Sequence, residues 1–129
     1  MNIPANLLYT HEHEWVLIEG NIATVGITDY AQDQLGELVY VEVDTVGETL
    51  ERNDIFGTVE AVKTTSDLFL PLAGKILEFN SALDEKDGDN PTLVNEDPYG
   101  EGWIVKIELA DPADHSGLLT AEAYGELIS

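Results

Sequence analysis

The sequence contains no cysteine. That excludes disulfide staples, thiolate metal sites and redox chemistry on the chain's own sulfur, so any thiol chemistry has to arrive on a cofactor. Cations are scarce as well: four lysines and one arginine stand against 26 acidic residues, for a formal net charge of −21. Nucleic acid is thereby nearly excluded as a partner, because phosphate binding needs a cationic surface, and an anionic membrane surface is disfavoured for the same reason. No stretch approaches the ~18 consecutive apolar residues of a membrane-spanning helix. The opening MNIPANLLYT has neither a basic region nor a long apolar run, so no signal peptide is expected and the reading is a cytoplasmic protein. There is no Gly-rich phosphate loop, no GxSxG and no Ser-His-Asp pattern. Nothing has the makings of a self-sufficient active site.

What is present is an ordinary core. Of the 129 residues 43% are hydrophobic, and no Pro/Ser/Gly-rich linker interrupts them, which predicts a single domain over 1–129. Most of the chain reads as short strands broken by turn residues. Trp15 to Glu19 and Ile22 to Ile27 flank Gly20-Asn21 as a hairpin. Thr28 is placed to cap a short helix through Leu35, with Gly36 at its end. Over Leu38 to Val43 the alternation puts Val39, Val41 and Val43 on one face and Glu42 on the other. Strands follow at Ile55 to Val62, Ser66 to Leu70, Lys75 to Phe79 and Trp103 to Glu108. Asn90-Pro91 suits a helix start. Asp114 and Thr120 are each placed to cap a helix in a tail of about 112–128, where Leu118, Leu119, Ala123 and Leu127 supply an apolar stripe. Eight or so short strands with close turns predict an all-β sandwich or barrel finished by a C-terminal helix.

Three constellations invite a chemical reading. In an extended strand His11 and His13 of HEHEW share a face, as two zinc ligands do. No third ligand accompanies them, however, and the pattern is not HExxH, so no metal site is expected; Glu14 beside Trp15 is the better candidate for a functional carboxylate. Asp84, Glu85, Asp87 and Asp89 fail the EF-hand register, which needs Gly at position six and Glu at position twelve. The third is GTVEAVKTTSD, Gly57 to Asp67, with Lys63 between two strands. Alternation places that lysine at a hairpin tip, in water. A flexible stem ending in a nucleophilic amine is a common target of acylation, whereas a Schiff-base lysine would want a desolvated pocket. A plain surface lysine fits the residues equally well, and composition does not decide between them.

The order of five stretches does. HEHEWV, VGITDYAQDQLGELVYVEV, FGTVEAVKTTSDLFLPLAGKI, NPTLVNEDPYGEGWIVKI and LLTAEAYGELI together resemble the H proteins of the glycine cleavage system over nearly the whole chain. Where the family commonly has serine before its Val-Lys pair this chain has Ala61, and where it has Leu-Pro after VYVE this chain has Val43-Asp44. The resemblance implies a mainly β, lipoyl-domain-like barrel-sandwich hybrid with short helices and a C-terminal helix. It implies lipoate covalently attached to Lys63, with Glu60 and Asp67 flanking the tip for recognition by a lipoate ligase or a lipoyl/octanoyl transferase. Glu14 and Asp67 would steady the loaded, cationic arm on the body, with Glu12 adding to the negative potential. The implied role is a non-catalytic shuttle, carrying the aminomethyl group of glycine from the pyridoxal-phosphate-dependent glycine decarboxylase (P protein) to the folate-dependent aminomethyltransferase (T protein). Dihydrolipoamide dehydrogenase (L protein) then reoxidises it. A monomer is expected, since one arm must be shown to three enzymes in turn. The alternatives are a lipoate relay, or a lipoyl domain of another complex, which usually ends sooner and lacks DPYGEGW and the tail. A biotin carrier is disfavoured because its lysine usually lies between methionines, and Met1 is the only one here.

Overall fold

A computed structural model describes residues 1–129. Its elements run β1 (Leu8–Tyr9), β2 (Glu14–Glu19), β3 (Ile22–Ile27), α1 (Asp29–Leu35), β4 (Leu38–Glu42), β5 (Thr49–Leu50), β6 (Ile55–Ala61), β7 (Thr65–Phe69), β8 (Gly74–Phe79), α2 (Leu93–Glu96), β9 (Val105–Leu109) and α3 (Ala121–Ile128). The strands form a six-stranded sheet in the order β1-β2-β3-β9-β8-β5 and a three-stranded sheet in the order β4-β6-β7. Every pairing is antiparallel. No helix is long and apolar enough to cross a membrane.

Nineteen buried residues make the main core, and both sheets contribute: Val16, Val25 and Ile107 from the larger, Val41, Phe56, Val59 and Leu68 from the smaller. The expected sandwich is thus the observed one, with two apolar sheet faces closed on each other. β2 has a second buried face. Period-two alternation sends Val16 and Ile18 inward and Trp15 and Leu17 outward, where Trp15 joins Leu7, Tyr9 and Tyr124 in a smaller cluster under α3.

Several boundaries differ from the sequence expectation, each for a local reason. The pairing of β4 with β6 shifts register between Leu38 and Tyr40. This bulge breaks the alternation, so Leu38 and Val41 are buried while Val39 is 46% exposed. β9 starts at Val105, not Trp103, because the Trp103 N–H turns back to the Gly100 carbonyl. α2 begins at Leu93 with Thr92 at its cap, and the Asn90 carboxamide accepts from the Thr92 hydroxyl instead of capping the backbone. The tail is helical only from Ala121. Upstream, the Asp111 and Asp114 carboxylates take the N–H groups of Ala113 and Ser116, local bonds that compete with a helix, and Leu119 pairs with Tyr9 as an isolated bridge.

One close approach fixes the small sheet. A Cβ at Gly57 would stand 2.5 Å from the Glu42 carbonyl oxygen and 2.9 Å from Val43 Cγ2. The first obstacle is backbone, which cannot swing aside. Gly57→Ala is therefore expected to destabilise the fold by about 1–3 kcal/mol, as overpacking does. An unchanged denaturant midpoint would contradict the close approach.

Candidate functional site

β6 and β7 are the hairpin that carries Lys63. They pair Thr58↔Asp67, Val59↔Ser66 and Glu60↔Thr65, and the Ala61 N–H closes the tip on the Thr64 carbonyl at 2.7 Å. Val62, Lys63 and Thr64 are left outside the ladder and exposed. The tip is not free-standing. The Val62 N–H donates to the Glu37 carbonyl at 3.2 Å, tying it to the turn between α1 and β4. At that turn Gly36 has φ of 81°, a conformation that glycine adopts without penalty. The lysine stem lies above it, since a Cβ on Gly36 would be 3.6 Å from Lys63 Cε. The amine has no ion-pair partner: the one pair within 4 Å in the molecule is Arg52–Asp114, at 3.9 Å.

The other anticipated carboxylates divide into two kinds. Glu60 and Asp67 are exposed on the outer face of the hairpin, diagonal to one another across the two strands. Glu14 is 2% exposed. Its side chain crosses from the large sheet to the small one, accepting the Phe69 N–H at 2.9 Å and the Thr10 hydroxyl at 3.1 Å. Burial pushes its pKa up to about 8, although both hydrogen bonds act to lower it. Glu14 also lines a cleft of about 300 Å³ with Glu12, His11 and the only arginine, Arg52.

His11 and His13 do not share a strand face. Residues 11–13 form a turn, with His13 at φ 67°, and no three His, Asp or Glu side chains converge as metal ligands would. Instead His13 Nδ1 lies 2.9 Å from the Tyr124 hydroxyl, which lies 2.7 Å from the Thr28 hydroxyl; Thr28 caps α1 by accepting the Ala31 N–H. Burial lowers the His13 pKa, with Glu12 opposing and His11 reinforcing the shift, and the neutral ring that this favours can accept from Tyr124. Tyr124→Phe would leave the two flanking groups without a shared partner in the interior. We expect a loss of about 1–3 kcal/mol and a changed His13 titration by NMR; an unaltered midpoint and titration would remove Tyr124 from this role.

Between this network and the hairpin runs a groove of about 290 Å³, with Tyr30, Ala31 and Leu35 as its apolar wall and Glu12, His13, Gln34 and Ser66 at its polar edges. It ends at Leu35, one residue from the glycine beneath the Lys63 stem. Neither the groove nor the His13–Tyr124 pairing is visible in a linear reading, because it joins residues 111 apart.

Comparison with known proteins agrees with this geometry. The family model described as Glycine cleavage H-protein matches residues 7–129. The glycine cleavage system H protein of Bacteroides thetaiotaomicron is 61% identical over 129 residues, covering 100% of this chain and 99% of its own. That of Bacteroides fragilis is 57% identical over the same shares. The crystal structure of a glycine cleavage system H protein from Mycobacterium marinum superposes with a TM-score of 0.84 at 38% identity, covering 96% of this chain and 97% of that one. The chain belongs to the glycine cleavage H-protein family.

Proposed function

We propose that residues 1–129 act as one lipoyl-carrier domain, the shuttle of a glycine cleavage system, with lipoate held in amide linkage on Lys63. The observation that carries the assignment is the Lys63 amine: exposed, unpaired, at a three-residue tip whose backbone is already hydrogen-bonded. Once attached, lipoate supplies the disulfide that accepts and releases the aminomethyl unit, which the cysteine-free chain lacks. In attachment, deprotonated Lys63 Nζ bonds to the acyl carbon of an activated lipoyl or octanoyl donor. The donor's leaving group departs and the amine proton goes to solvent.

The remaining residues bind and orient. The groove along Tyr30, Ala31 and Leu35 offers apolar cover beside the lysine stem, and Glu14 and Asp67 are our candidates for steadying a cationic amine at the end of the arm. An ammonium near Glu14 would favour its charged form, offsetting the burial that now raises its pKa. Glu60 and Asp67, on the exposed face of the hairpin, present recognition charges to a lipoate ligase or a lipoyl/octanoyl transferase. We read the chain as a non-catalytic, monomeric, cytoplasmic carrier that meets glycine decarboxylase, aminomethyltransferase and dihydrolipoamide dehydrogenase in turn. The test is the intact mass of the chain purified from cells supplied with lipoate. A single lipoyl increment is expected. An unmodified chain, from cells whose other lipoyl proteins are modified, would overturn the proposal.

A further inference from the structure

We propose that Asn95 is the positioning residue for Lys63, setting the height and direction of the hairpin tip as an acyl acceptor. The inference rests on the assignment of Lys63 above. Asn95 lies in α2, a helix of four residues. Its side chain makes three hydrogen bonds, all to one short turn and the helix before it. Oδ1 accepts the Leu38 N–H at 2.9 Å, and Nδ2 donates to the Gly36 carbonyl at 2.8 Å and to Gln32 Oε1 at 3.1 Å. Gly36 and Leu38 bracket Glu37, and the Glu37 carbonyl is the acceptor that holds the Val62 N–H. Val62 is bonded to Lys63, whose stem lies over Gly36. One carboxamide therefore grips the Glu37–Leu38 peptide from which the lysine tip hangs, through its N–H, and the peptide before it, through the Gly36 carbonyl, without itself touching the amine.

The chemistry of the position is selective. It needs one acceptor and two donors on a single short planar group, which asparagine supplies. Aspartate keeps the acceptor for Leu38 but turns two attractive contacts, to Gly36 O and Gln32 Oε1, into oxygen–oxygen repulsions. Alanine loses all three. In either variant the Gly36–Leu38 turn loosens, the Val62–Glu37 bond opens more often, and Lys63 samples positions that an attaching enzyme does not accept. Small misplacements of a reacting group cost rate steeply, about 100-fold for 1 Å in the worst cases.

Two measurements separate this role from general destabilisation. The first is hydrogen exchange at the Val62 amide in the unmodified protein, which reads the bond itself. The second is acceptor kcat and KM in lipoate attachment by an ATP-dependent lipoate ligase. Asn95→Ala is expected to speed Val62 exchange about tenfold and to lower acceptor kcat/KM about tenfold, mostly through KM, for a tip displaced part of the way to that limit. Asn95→Asp, which keeps the Leu38 bond but repels Gly36 O and Gln32 Oε1, should shift both readouts in the same direction and serves if the alanine variant does not fold. Ile107→Val, a core change far from the tip in sequence and on the other sheet, destabilises the fold without touching the Gly36–Leu38 turn and should leave both readouts near wild type. Wild-type exchange at Val62 in both Asn95 variants overturns the inference. So do undiminished attachment in both, or equal slowing by Ile107→Val. A wild-type chain that the ligase leaves unmodified overturns the Lys63 assignment instead, and Val62 exchange still reports whether Asn95 holds the tip.

Discussion

Lys63→Arg is expected to give a folded chain that takes up no lipoyl group and supports no glycine cleavage when mixed with the three partner enzymes. The two halves of this prediction have different causes. Lys63 is exposed and has no ion-pair partner, so replacing it leaves stability within about 0.5 kcal/mol of wild type, as for other surface positions. Attachment, by contrast, needs a nitrogen that can lose its proton and form a neutral amide, and a guanidinium stays protonated at any working pH. The loss of function should therefore be complete while the denaturant midpoint is unmoved. No other lysine stands at a hairpin tip. Lys75 lies within β8, paired opposite Glu108; Lys106 lies within β9 with its amine 5.0 Å from the Trp103 ring centroid; Lys86 sits in the loop after β8. A lipoyl increment on Lys63→Arg would place the attachment site elsewhere and remove the tip from its role.

Lys63 was the most legible part of the site, because a hairpin tip is a local object. Two alternating runs separated by three polar or small residues locate it, and the order of motifs along the chain carries our proposal for its chemistry. The capped helices were legible for the same reason: Thr28 and Thr120 each accept the N–H three residues on. Failures came where one residue's conformation depends on a distant strand. The register shift in β4 is a property of its pairing with β6, so alternation alone put Val39 on the wrong face. The Asp111 and Asp114 turns won over a helix that the apolar stripe favoured. Asn95 and Tyr124 lie in stretches that carry the resemblance, but their individual roles carried no signal, since each acts on groups dozens of residues away. Glu14 was legible as a candidate from its place beside Trp15, but its depth of burial was not.

That burial makes the second large prediction one of sign. The folded-state pKa of Glu14 is pushed up to about 8, by burial first, from an ordinary 4.5. Between those values the folded chain holds a proton at this site that the unfolded chain has released. Stability from this group is thus fully present below pH 4.5 and is lost as pH rises through about 8, at up to about 1.4 kcal/mol per pH unit. Glu14→Gln has no such titration, and its amide keeps an oxygen for the Phe69 N–H, while its N–H meets a Thr10 oxygen that already accepts the Glu12 and Glu14 N–H groups, a cost that is the same at every pH. Against wild type, the variant should gain up to about 3 kcal/mol between pH 5 and pH 8, roughly the span over which the slope acts. The other 25 acidic residues (26 less Glu14) titrate in both proteins and cancel in the difference, which a raw stability curve for so acidic a chain would not allow. Parallel curves from pH 5 to 8 would mean that the Phe69 and Thr10 bonds outweigh burial and keep the carboxylate ionised. A gain on the expected scale would mean that the bridge between the two sheets is a neutral acid in the resting carrier, ready to ionise when a cation comes to rest beside it.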